Sequence, residues 1–199
     1  MSLSQPDPHA ADAPRWSWHP QAPSRSAEAL ARAWLAQQLG SDPATLPLAR
    51  DERQRPYLLP PWQRWDCNWS HSGEGLLVAL AGRGRVGVDL ERLRPRPRAL
   101  EVSQRYFTPA ETAWLQAQPE RDRAFLRLWC AKEAVLKAHG HGLSFGLHRL
   151  RFEEHGGRLR LVDSDPALGA PADWQLQELA PAPDYVGALA WRSGAVGAA

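Results

Sequence analysis

Apolar and polar residues along this chain change period several times, and each change marks an element. Over residues 24–39, Leu30, Ala33, Trp34 and Leu39 share a helical face, with Ser24 or Ser26 to cap it and Gly40 to close it. Residues 76–81 and 85–91 read as strands flanking Gly82-Arg83-Gly84, which predicts a hairpin. A helix follows near residues 100–106. Thr108, Pro109 and Glu111 then spell an N-cap, a first-turn proline and a capping-box glutamate for a second helix ending near Gln118. A longer helix is predicted over 121–139, stopped by Gly140 and Gly142. Residues 150–154 and 158–162 form a second predicted hairpin around Gly156-Gly157, and 174–179 and 185–191 are further strands.

The remaining segments break periodicity. Residues 1–22 hold four prolines and read as a loose or surface-draped arm. Residues 41–66 hold five and read as loop with short extended pieces. The run Arg92-Leu93-Arg94-Pro95-Arg96-Pro97-Arg98 cannot continue a sheet interior, because proline offers no ladder donor. The lobe boundary is placed there, giving an N-terminal lobe of 23–93 and a C-terminal lobe of 94–199, whose last seven residues fray.

Composition narrows the function classes. The 199 residues are 43% hydrophobic, which excludes wholesale disorder and fibrous classes. A net charge of +2 is too balanced for a surface that grips nucleic acid. No apolar run approaches the roughly 20 residues of a membrane span, and the first 20 residues lack a signal-peptide core. Two cysteines, Cys67 and Cys130, make no disulfide framework and point to a reducing compartment, so the expected location is the cytoplasm. Of 24 basic residues only Lys132 and Lys137 are lysines. Codon bias accounts for that, or else lysine is kept where a compact charge is needed.

Three segments carry candidate chemistry. If Val86-Gly87-Val88-Asp89-Leu90-Glu91 is a strand, Asp89 and Glu91 share one face, about 7 Å apart. Such a pair is either solvated or shares a cation. On the long helix, Trp129, Glu133 and Lys137 form one stripe, either an ordinary ion pair or a third carboxylate with a lysine beside it. Three carboxylates without a His or Cys cluster suit Mg²⁺ or Mn²⁺, with substrate phosphates completing the shell. Ser70-His71-Ser72-Gly73 offers either turn-capping hydroxyls or a phosphate cradle. It lacks the strand-turn-helix elbow of a serine nucleophile.

Together these segments resemble the 4′-phosphopantetheinyl transferases of the longer Sfp type. The residues that carry the likeness are Gly87-Val88-Asp89-Leu90-Glu91 and Trp129-Cys130-Ala131-Lys132-Glu133-Ala134-Val135-Leu136-Lys137. Supporting matches are Ser70-His71-Ser72, Arg105 to Glu111, and Gly140-His141-Gly142-Leu143-Ser144. The resemblance implies an α+β pseudo-dimer of two similar lobes with the site between them. It implies a monomer that moves the phosphopantetheine arm of coenzyme A to a serine of an apo acyl or peptidyl carrier protein. Adenosine 3′,5′-bisphosphate would leave. It further implies Asp89, Glu91 and Glu133 as Mg²⁺ ligands, Glu133 as general base, and Lys137 on the diphosphate with Lys132 as a second choice. Ser70 and His71 would hold the 3′-phosphate, and Arg55, Arg25 and Arg32 would make further nucleotide contacts.

The chain departs from the family at Gln54-Arg55-Pro56, where Gly-Lys-Pro is common, and its basic cluster before the first helix is thin. Cys130 stands where Ser or Thr is usual. Most of the ten tryptophans are expected in the core and lobe interface. The Arg92–Arg98 run is either a solvated linker or a docking patch for an acidic carrier protein. Two other functions stay open: a non-catalytic module that binds coenzyme A or a carrier, and a Mg²⁺-dependent diphosphate hydrolase.

Overall fold

The computed structural model describes residues 13–21 and 26–192, the side chain of Leu143 excepted. Ten strands and four α-helices run in the order β1 (Arg15–Pro20), α1 (Ala27–Leu39), β2 (Leu48–Arg50), β3 (Pro56–Leu58), β4 (Asp66–Ser72), β5 (Gly75–Ala81), β6 (Arg85–Arg92), α2 (Ala99–Tyr106), α3 (Pro109–Gln116), α4 (Arg121–His139), β7 (Leu150–His155), β8 (Arg158–Ser164), β9 (Gln175–Leu179) and β10 (Tyr185–Arg192). None of the described helices is long and apolar enough to cross a membrane.

Local chemistry sets the helix ends where the sequence predicts them. The Ser26 hydroxyl accepts from the Ala29 N–H at 3.1 Å, and Gly40 closes α1 at φ 65°. Thr108 and Glu111 complete a capping box on α3. Gly140, at φ 95°, ends α4.

Two three-stranded antiparallel sheets carry the architecture, in the orders β1-β5-β4 and β6-β10-β9. Each is built as strand, helix, strand, strand, and in each the first strand pairs with the last. That repeated order is the two-lobe α+β arrangement, and no sequence duplication announces it. Leu76, Val78 and Leu80 of β5 pack with Ala31, Trp34 and Leu35 of α1. Val186, Ala188 and Ala190 of β10 pack with α4. The other faces meet each other: Leu77, Ala79 and Ala81 lie against Val86, Val88, Leu90 and Leu189. The sandwich of helix, sheet, sheet and helix follows from the alternation of apolar side chains on β5 and β10.

Two expectations need correction. Residues 76–81 and 85–91 are strands but not a hairpin: β5 pairs with β1 and β4, whereas β6 pairs with β10. The chain therefore crosses between sheets at Gly82–Gly84, about ten residues before the expected boundary near Leu93. Part of the expected arm is also structured. Residues 15–20 form the edge strand β1, held in register from Arg15 opposite Leu80 to Pro20 opposite Gly75. Trp18 anchors it through an edge-on contact with the Tyr185 ring at 6.1 Å. Residues 1–12, 22–25 and 193–199 lie outside the described residues.

A polar seam joins the two sheets. Among the described residues the outer edge of β6 has no strand partner, and an unpaired edge needs its amides satisfied. Every second residue of β4 supplies a side chain: Asp66 accepts from the Val86 N–H at 2.7 Å, Asn68 from the Val88 N–H at 3.0 Å and Ser72 from the Arg92 N–H at 3.1 Å. β4 was not predicted as a strand. Its alternation carries polar residues on the buried face, the reverse of the usual pattern.

Candidate active site

Asp89 and Glu91 come from β6, and Glu133 and Lys137 from α4. What lets the two elements meet is Gly87. A Cβ built there would lie 2.1 Å from the Ala134 carbonyl oxygen and 2.4 Å from the Ala138 nitrogen, so the backbones are in direct contact. Alternation then sends Asp89 and Glu91 towards α4, with Val86, Val88 and Leu90 on the far face.

The acidic groups are not on a solvated face, which goes against the solvated alternative for the pair. Asp89 is only 5% exposed and Glu133 only 6%. Lys137 Nζ donates to Asp89 Oδ1 at 2.6 Å and to Ser70 Oγ at 3.0 Å, and Ser70 Oγ donates to the same Oδ1 at 2.8 Å. Glu91 accepts from Ser72 at 3.2 Å and from Arg96 at 2.6 Å. Among the described residues, Asp89 Oδ2 and Glu133 Oε1 are buried without a hydrogen-bond partner. Burial, reinforced by Asp89, pushes the Glu133 carboxyl up to about 7, although Lys137 pulls the other way. Glu91 is raised by burial and by Asp89, with Arg96 and Ser72 opposing.

Two unpartnered buried carboxylate oxygens beside a third acidic group are what a hard cation answers. Among the described residues no three metal-ligating side chains already form a cluster that could hold an ion. Asp89 Oδ1 is turned to Lys137 instead. Mg²⁺ does not need such a cage, since it is usually bound by one or two carboxylates with waters and substrate phosphates. In donor chemistry and charge the residues fit Mg²⁺. Neither cysteine competes for a chemical role: burial first of all pushes the Cys67 thiol up to about 12, and likewise raises Cys130 well above its ordinary value.

A cleft of about 450 Å³ leads away from Glu133 and Lys137. Its other walls include Arg50, Arg53, Trp69 and His141. The Arg50 guanidinium lies over the Trp69 ring at 5.0 Å. His141 meets His139 at 2.7 Å between ring nitrogens. On the other side of Glu91 an apolar cavity of about 360 Å³ is lined by Pro95, Pro97, Val102, Phe125 and Trp129. Trp129 packs against the core through Phe107 and Phe125 and also walls this cavity.

The residues expected at the nucleotide end fare unevenly. Ser70 joins the acidic centre. His71 is exposed on the opposite face of β4 and does not line the cleft. Lys132 is fully buried: Nζ binds Glu111 Oε1 at 2.8 Å, the Leu147 carbonyl at 2.9 Å and the Leu150 carbonyl. It has no donor free for a phosphate. Arg55 lies at the cleft wall but is 7% exposed and tied to Asp66. Arg32 donates to the Leu46 carbonyl at 2.6 Å and stands away from the cleft. Arg25 falls outside the described residues. Sequence reasoning missed Arg50 and Arg53, which sit in a proline-rich stretch with no periodicity to flag them. His141 was visible only as part of a Gly-flanked match.

The profile of the family described as the 4′-phosphopantetheinyl transferase superfamily matches residues 85–190, from β6 through α4 to β10. The chain belongs to that superfamily. It is 34% identical over 149 residues to a putative 4′-phosphopantetheinyl transferase of Synechocystis sp., covering 73% of this chain and 59% of that protein. It is 33% identical over 165 residues to the 4′-phosphopantetheinyl transferase HetI of Nostoc sp., covering 80% and 66%. For a 4′-phosphopantetheinyl transferase of Bacillus subtilis the identity is 32% over 120 residues, covering 59% and 52%. The chain thus spans between about half and two-thirds of these relatives' lengths. Among solved structures, the holo-[acyl-carrier-protein] synthase of Thermotoga maritima overlaps 55% of this chain and 62% of that one, with TM-score 0.45 and 19% identity. The Helicobacter pylori synthase in complex with coenzyme A overlaps 54% and 99%, with TM-score 0.41 and 13% identity.

Proposed function

We propose that this protein transfers the 4′-phosphopantetheine group of coenzyme A to a serine of an apo acyl or peptidyl carrier protein, with adenosine 3′,5′-bisphosphate as the other product. One observation carries the reading. Lys137 and Ser70 converge on Asp89 while the adjacent Glu133 keeps a buried oxygen unpartnered at the head of a cleft with basic walls.

The serine oxygen forms a bond to the phosphorus that bears the pantetheine arm, and the bridging bond from that phosphorus to the nucleotide's 5′-phosphate breaks. Glu133 takes the serine proton through its free Oε1. Burial raises that carboxyl when no ion is bound, and a bound cation would draw it down towards the ionised form that accepts a proton. Lys137 offsets charge gathering on the leaving phosphate, and its pairing with Asp89 fixes where its ammonium points. Asp89, Glu91 and Glu133 would hold Mg²⁺, which when bound neutralises the diphosphate and polarises its phosphoryl oxygens. Arg50, Arg53 and His141 would face the nucleotide's phosphates, in place of the His71 expected from sequence.

For the carrier, Arg94, Arg96, Arg121 and Arg123 border a surface groove that shares Pro95 and Pro97 with the apolar cavity beside Glu91. Glu120 and Asp122 share that border, so the rim is basic by four charges to two; with the apolar floor it suits an acidic partner, and this supports the docking reading of the Arg92–Arg98 run over the linker reading. The test is to incubate the full chain with coenzyme A, MgCl₂ and a panel of apo carriers and weigh the carriers intact. A gain of one phosphopantetheine arm supports transfer. Intact coenzyme A with unmodified carriers supports the binding module, and coenzyme A cleaved without a carrier supports the hydrolase. Either of those results overturns the proposal.

A further inference from the structure

A guanidinium has five N–H donors, and Arg55 has all five engaged within the protein. Nε donates to the Lys137 carbonyl at 3.0 Å. Nη1 donates to the Pro56 carbonyl at 3.2 Å and Asp66 Oδ1 at 2.8 Å. Nη2 donates to Asp66 Oδ2 at 2.6 Å and the Val86 carbonyl at 3.1 Å. Asp66, itself 6% exposed, also accepts from the Val86 N–H at 2.7 Å. Burial works against the Arg55 charge, and Asp66 more than offsets it, so the guanidinium stays charged above its ordinary value.

These bonds cross the seam between the sheets. Arg55 and Asp66 belong to the first half, while Val86 starts β6 and Lys137 lies in the last turn of α4. Carbonyls of a last helical turn lack intrahelical donors, and a cation there also meets the negative end of the helix dipole. One planar fork therefore ties the C-terminal turn of α4 to the start of β6. These are the two elements that carry Lys137 and Asp89.

We propose that Arg55, locked by Asp66, is a positioning residue that holds the Lys137 turn against β6, and that it binds no substrate phosphate. The claim rests on the transfer reading above. A lysine at residue 55 has three donors on a compact ammonium and cannot replace the five bonds that the fork makes to four groups.

The deciding variant is Arg55→Lys, which keeps the charge and removes the fork. Transfer rates at varied coenzyme A, calorimetric binding of coenzyme A without carrier, and amide hydrogen exchange are measured beside the wild type. The expected result is a kcat lower by about 10–100-fold, with KM and Kd for coenzyme A within about threefold. Exchange at residues 137–140 should be at least about tenfold faster. Binding weakened more than about tenfold with kcat retained would make Arg55 a phosphate ligand and overturn the proposal, as would kcat and exchange both unchanged. If Arg55→Lys does not fold, the double variant Arg55→Met/Asp66→Leu removes both charges at similar volume, a replacement buried ion pairs commonly tolerate. The same kcat loss and exchange change are expected of it once circular dichroism and melting show it folded. Should the wild type transfer nothing, the transfer reading falls by itself. Unaltered exchange at 137–140 in the variant then overturns the clamp, and accelerated exchange upholds it.

Discussion

Lys132 and Lys137 lie five residues apart on α4, in a chain with no other lysine, and they have opposite surroundings. Lys132 is closed in by Glu111, two backbone carbonyls and the rings of Phe107 and Phe152 at 5.1 and 5.9 Å. Glu111 is closed in turn: it accepts from the Phe152 N–H at 2.8 Å and from the Thr108 N–H and hydroxyl at 2.9 and 2.8 Å. Lys137 has 27% of its side chain exposed at a cleft and faces an acidic group whose other oxygen is unpartnered. Five residues are nearly one and a half turns, so the two ammoniums leave the helix on different sides. The element packed opposite decides which becomes a brace and which faces the cleft. Residue type alone does not.

Breaking the brace should have the largest effect. Lys132→Met leaves the Glu111 carboxylate buried without its cation, a loss of about 3–5 kcal/mol in unfolding free energy. Denaturant titration reads it, and transfer per folded molecule should change little. Lys137→Met should weigh the other way: transfer slowed roughly 10²–10³-fold, the scale of losing one group that meets developing charge, with a smaller loss of stability than Lys132→Met because the Lys137 side chain is 27% exposed. If the first variant loses only activity and the second only stability, the contrast between the lysines is wrong.

Gly87→Ala disturbs both lysines together. Its methyl group would press into the Ala134 and Ala138 backbone, so α4 must shift away from β6. Overpacking of this kind costs about 1–3 kcal/mol, and transfer should fall as well because Lys137 leaves Asp89. The smallest effect concerns pH. Burial draws the Lys132 ammonium down to about 8 against the pull of Glu111. Between about 8 and the free-lysine value the unfolded chain therefore binds more protons than the native one, and Lys132 makes stability rise with pH across that window. Lys132→Met should lack that slope in melts taken from pH 8 to 10.

The sequence pattern made α4 and its glycine stop legible, as it did the Thr108–Glu111 capping box, because periodicity and caps are local. It also placed Asp89 and Glu91 on one strand face. What it could not convey was which strand pairs with which. Residues 76–81 and 85–91 alternate like a hairpin, and only the packing of two sheets sends them apart. For the same reason β4 was hidden: Asp66, Asn68 and Ser72 are polar because they satisfy the β6 edge, a partner twenty residues ahead, and Ser70 because it meets the Asp89 side chain. Arg55 and Lys132, expected as phosphate contacts, are paired with Asp66 and Glu111, and a charge in sequence looks the same whether its partner is a ligand or a buried carboxylate.

The central claim is that β6 and α4 bring Asp89, Glu91 and Glu133 around one divalent cation beside Lys137. The most direct measurement is anomalous diffraction from a crystal grown with coenzyme A and Mn²⁺ in place of Mg²⁺. The account predicts a single Mn²⁺ peak in contact with carboxylate oxygens of those three residues and with the diphosphate. A peak elsewhere, or a diphosphate seated with all three carboxylates out of reach of the ion, would contradict it.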